Sequence, residues 1–93
     1  MWDIIVCLTP DNRKQFLYLS GNQITYAYDV RNASCFKHNG EAVSRVLNRA
    51  RVEDKNSKFY VISCPSDIFN AGAENIIEEE QILNDTYLYP INY

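Results

Sequence analysis

Few residues in this chain have the type and spacing to do chemistry. Cys35 and His38 stand in a Cys-x-x-His arrangement, which in a folded chain supplies two zinc ligands or a thiol beside an imidazole base. A structural zinc site needs four donors, and the other cysteines, Cys7 and Cys64, lie far away in apolar runs with no second histidine. No metal site is expected. A thiol–imidazole pair needs spatial contact, an orienting third group and an oxyanion site, and the sequence displays none of them. Glu78-Glu79-Glu80 places three carboxylates in a row, but consecutive helical residues point about 100° apart and do not form an acid–base pair. Gly21, Gly40 and Gly72 are too widely separated to build a phosphate-cradling loop. The expectation is a protein without catalytic residues or cofactor.

Charge is more informative. Residues 1–58 carry nine basic and six acidic side chains, a balance of +3, whereas 59–93 carry six acidic and no basic ones, a balance of −6. A helix over 73–83 would align Glu74, Glu78, Gln81 and Asp85 along one face. Such a row can occupy the phosphate sites of a nucleic-acid-handling protein, because Arg and Lys recognise carboxylate and phosphate with similar geometry. With Glu79 in the same run, and with Tyr18, Tyr87 and Tyr89 as aromatic anchors, these residues make a candidate surface for a basic protein partner. A solvated acidic face and a tail docked on its own sheet are the plain alternatives. Arg45, Arg49 and Arg51 form the alternative, nucleic-acid-binding set, for which a sequence pI near 5.0 is a poor electrostatic footprint.

Elements that would position these residues follow from the pattern of the chain. Its 93 residues, 46% hydrophobic and 13% aromatic, are enough for one core, so a single domain over 1–93 is expected. Trp2 to Leu8 is almost continuously apolar and reads as a central strand. Lys14 to Ser20 and Gln23 to Tyr28 flank Gly21-Asn22, which predicts a two-residue hairpin with Ser20 facing Gln23. In that register Leu17, Leu19, Ile24 and Tyr26 share the core face. Phe16, Tyr18, Thr25 and Ala27 share the other, expected to stay partly accessible and open to a homodimer contact. Ala42, Val43, Val46, Leu47 and Ala50 recur at helical spacing, with Glu41, Arg45, Asn48 and Arg49 assigned to the outer face. Lys58 to Cys64 reads as a further strand, Ala73 to Leu83 as a second helix with Ala73, Ile76, Ile77 and Leu83 inward, and Thr86 to Tyr93 as an edge strand. The order β-β-β-α-β-α-β makes an α+β domain, an antiparallel sheet of four to five strands packed by one or two helices.

No apolar run approaches the roughly 18 residues of a membrane span, and Met1-Trp2-Asp3 lacks the basic start of a secretory signal. A cytoplasmic protein with three reduced cysteines is expected.

At Phe36-Lys37-His38-Asn39-Gly40-Glu41-Ala42, after a tyrosine-rich hairpin and before another strand, the chain resembles small single-domain proteins of phages and mobile elements of the anti-CRISPR inhibitor type. The likeness is architectural and covers residues 14–64. It implies a non-enzymatic inhibitor that occludes the nucleic-acid or nuclease site of a large host effector, and it assigns no functional residue.

Overall fold

The computed structural model describes residues 1–65 and 75–84. Strand β1 (Trp2–Leu8) is the centre of an antiparallel sheet, in keeping with an apolar run broken only by Asp3. One edge of β1 pairs along its whole length with β5 (Lys58–Cys64), from Trp2 opposite Cys64 to Leu8 opposite Lys58. The other edge is forked. Val6 to Leu8 pair with β2 (Lys14–Ser20), whereas Trp2 and Asp3 pair with the two-residue strand β4 (Phe36–Lys37). Ser34 fills the fork: its amide donates to the Leu17 carbonyl, and its hydroxyl accepts from the Leu19 amide. That accounts for a serine buried to 3% exposure, since its amide and its hydroxyl both find partners.

Strands β2 and β3 (Gln23–Ala27) form the expected hairpin in the expected register, with Ser20 opposite Gln23 and Leu17 opposite Tyr26. Of the two turn residues only Gly21 takes a positive φ, 60°, a conformation that glycine adopts without steric cost. Helix α1 (Glu41–Glu53) lays Ala42, Val43, Val46 and Ala50 on the face that carries Ile5, Cys7, Leu17, Phe36 and Phe59. The opposite sheet face is covered by the chain returning through a 3-10 turn at Val30–Asn32, so that Ala33 and Cys35 pack on Ile4 with Phe16, Trp2, Ile62 and Cys64 around them. Phe16, Tyr18, Thr25 and Ala27 are accordingly all half-buried, as the hairpin register implied.

The region expected to be a second long helix is different. Helix α2 is one short turn and a half, Glu79–Leu83. Before it the chain is extended and bridges Cys35 in parallel: the Cys35 amide donates to the Asn75 carbonyl at 2.7 Å, and the Ile77 amide donates to the Cys35 carbonyl at 2.8 Å. Ile82, rather than Leu83, is the buried anchor of α2. Within its described part, the predicted stripe therefore joins a strand-like bridge at Ile76 to a short helix, and Glu80 drops out of it because the period changes there. The expected edge strand at Thr86 to Tyr93 lies outside the described residues.

Candidate functional site

The densest polar constellation sits where β1, the 38–40 loop, β5 and α2 converge on the start of α1. Asp3 is buried, yet its carboxylate is fully engaged. Oδ1 accepts from Ser63 Oγ at 2.7 Å and lies 2.8 Å from His38 Nδ1, while Oδ2 accepts from the Asn39 amide at 3.0 Å. Burial alone would raise its pKa, but the hydrogen bonds from His38, the Asn39 amide and Ser63 together outweigh it and hold the carboxyl below the usual carboxylate range. Asn39 takes a left-handed φ of 57°, which asparagine tolerates better than most residues and which turns its amide onto Asp3.

A second carboxylate completes the arrangement. The N-cap of α1 is Gly40, which has no side chain to satisfy the first helical amides, and Glu79 reaches across from α2 so that its Oε2 accepts from the Ala42 amide at 3.0 Å. Its other oxygen is buried against Gly40 with no hydrogen-bond partner among the described residues, and a Cβ at position 40 would lie 1.9 Å from it. The absence of a Cβ there makes room for the Glu79 carboxylate, whereas the backbone, with a φ of −75°, suits any residue, so a larger side chain would have to displace Glu79.

Asp, His and Ser in mutual contact invite comparison with a hydrolytic triad, but the wiring is different. Ser63 contacts the carboxylate and Nδ1, whereas a nucleophile must face Nε2, and Nε2 lies 3.2 Å from Asn39 Nδ2. The cluster thus anchors the loop that launches α1. Cys35 does not join His38 in a dyad: it is fully buried, its Sγ is directed to the Ala33 carbonyl, and burial pushes its pKa up to about 11, leaving a protonated thiol at neutral pH. Among the described residues no group of three metal-ligating side chains is assembled.

The structure redistributes the charged residues singled out above. Arg45, assigned to the outer face of α1, is instead buried at 6% exposure, donating to Glu41 Oε1 at 2.9 Å and to the Leu83 carbonyl at 3.3 Å. The short α2 lies over that part of α1 and turns an expected surface cation into an interhelical tie. Arg49 donates to Glu53 and to the Asn22 carbonyl, joining α1 to the hairpin turn, and Arg51 reaches the Phe59 carbonyl at 3.3 Å from an exposed position. Arg45, Arg49 and Arg51 therefore do not form the open basic face of the alternative set. Glu79 is likewise committed to the helix start rather than offered to a partner. Glu78 and Glu80 are exposed, Tyr18 is half-buried on the sheet face opposite α1, and Glu74, Asp85, Tyr87 and Tyr89 lie outside the described residues. No described helix is long and apolar enough to cross a membrane.

Sequence reasoning missed Asp3, Ser63 and the cross-element reach of Glu79. The one available signal was an aspartate within the apolar run of β1, since a buried carboxylate must find donors. Comparison with known proteins finds no matching family model, no matching curated protein and no matching solved structure, so the functional reading rests on the chain's own geometry.

Proposed function

We propose that this chain is a non-enzymatic binding module that uses its acidic C-terminal third to engage a basic, nucleic-acid-handling protein, acting as an inhibitor of the phage or mobile-element type. One observation carries the reading: Arg45 is withdrawn into the α1–α2 contact and Arg49 is tied down, while Glu78 and Glu80 remain exposed. The same rearrangement weakens direct nucleic-acid binding and leaves a carboxylate-bearing surface in a segment, 59–93, with no cation of its own. A site that binds phosphates through Arg and Lys attracts such a surface from a distance and pairs with it at contact.

The test is affinity capture from cytosol of the native host at low ionic strength, followed by elution with a short DNA or RNA duplex and identification of what is released. The reading expects a nucleic-acid-binding protein, displaced by nucleic acid and by salt. If the wild-type chain retains no such protein, or if neutralising Glu74, Glu78, Glu80 and Asp85 leaves retention unchanged, the reading falls.

A further inference from the structure

Beside the start of α2 the surface is hollowed into a groove of about 340 Å³, at the small end of the roughly 300–1,000 Å³ typical of ligand sites. Trp2 and Lys37, cross-strand neighbours on β1 and β4, line it together with Ile77, Glu78 and Glu80. Trp2 is half-buried, packed on the small cluster around Ile4. Glu79 also lines the groove, but its carboxylate is turned onto the start of α1. Among the described residues, neither Glu78 nor Glu80 has a cationic partner within ion-pair distance. Glu78 and Gln81 form a capping box at the start of α2, the Glu78 side chain accepting from the Gln81 amide and the Gln81 side chain accepting from the Glu78 amide at 2.8 Å. The groove thus combines an aromatic wall with two exposed carboxylates, one of them also capping α2, against the single ammonium of Lys37.

An aromatic face beside carboxylates suits one side chain above others. Guanidinium is planar, so it stacks on an indole while its rigid fork of N–H donors pairs with carboxylates, whereas a lysine ammonium is compact and more strongly hydrated. We infer that this groove receives an arginine side chain from a protein partner, the guanidinium stacked on Trp2 and paired with Glu78 and Glu80. The inference rests on the acidic-surface reading above and specifies its contact chemistry.

Trp2 is the only tryptophan in the chain, so its fluorescence reports on the groove directly. The full chain is titrated at low salt with a short glycine-flanked peptide containing one arginine, and with matched peptides carrying lysine or the neutral isostere citrulline. A saturable change with the arginine peptide is expected, with a midpoint about threefold or more below that for lysine and no saturation for citrulline. Glu78→Gln with Glu80→Gln, both at exposed positions, should raise the arginine midpoint about fivefold, the upper range for one surface ion pair, or more. An equal response to arginine and citrulline, or a midpoint unmoved by the two glutamine substitutions, overturns the inference. Salt-sensitive capture of a basic protein that persists unchanged in the Glu78→Gln/Glu80→Gln chain removes the groove but not the broader reading. Loss of capture after neutralising Glu74 and Asp85 alone, with the Trp2 response absent, also places the contact elsewhere and overturns the groove.

Discussion

Single side chains hold the start of α1, and they do so across distant parts of the sequence. Glu79 supplies the cap that Gly40 lacks, and Gly40 supplies the space that Glu79 occupies. Each change alone, Glu79→Ala or Gly40→Ala, should cost about 1–2 kcal/mol, the scale of a lost cap with its charge–dipole contribution. The double variant should cost clearly less than the sum, because a displaced Glu79 can be lost only once; urea denaturation of the four proteins measures the coupling. Asp3 sets the acid limb of stability. Its folded pKa is depressed, so its contribution is complete above the ordinary value of 3.8 and disappears as pH falls through the lower folded value. Thermal melts of Asp3→Asn and wild type should therefore differ near neutral pH and converge below about pH 4. Cys35 works in the opposite direction. Burial raises its pKa from 9.0 to about 11, so the stability it contributes is present below pH 9 and is lost as pH rises towards 11, with Cys7 and Tyr26, also raised by burial, adding to the same loss. Thiol labelling at neutral pH should modify Cys64 quickly and the buried Cys7 and Cys35 only on unfolding. Rapid labelling of Cys35 in the folded chain, located by peptide mapping, would contradict its placement.

Elements with a sustained period were legible, and those without one were not. The apolar run of β1, the Gly21-Asn22 hairpin and the α1 stripe each repeat a pattern over five or more residues, and all three form as read. Strand β4 has two residues and exists because the sheet forks around Ser34, a tertiary arrangement with no local signature. The helical stripe predicted over 73–83 runs through Ile76 and Ile77, but Ile76 bridges Cys35, and among the described residues of that span the α-helix is confined to Glu79–Leu83. That shortening is what buries Arg45. Truncating it by Arg45→Ala removes its bonds to the Leu83 carbonyl and to Glu41 and leaves space under α2. A loss of about 2–3 kcal/mol is expected, with an increase in hydrogen exchange concentrated in α2. An Arg45→Ala variant as stable as wild type would show that α2 does not depend on this tie.

Across the whole molecule the charge layout divides the two functional readings. The fold uses Arg45 and Arg49 internally, so the isolated chain should not retard single-stranded or duplex DNA in a gel at low salt, even at high micromolar concentration. The acidic third instead requires a protein that carries the complementary charge. The most direct measurement compares wild type with the Glu78→Gln/Glu80→Gln chain for retention of the captured nucleic-acid-handling partner over stepped salt concentrations. The account predicts that wild type binds at low salt, releases as ionic strength rises or a DNA duplex is added, and loses about fivefold or more in affinity in the variant. Retention that is indifferent to salt, to duplex and to both substitutions would contradict it.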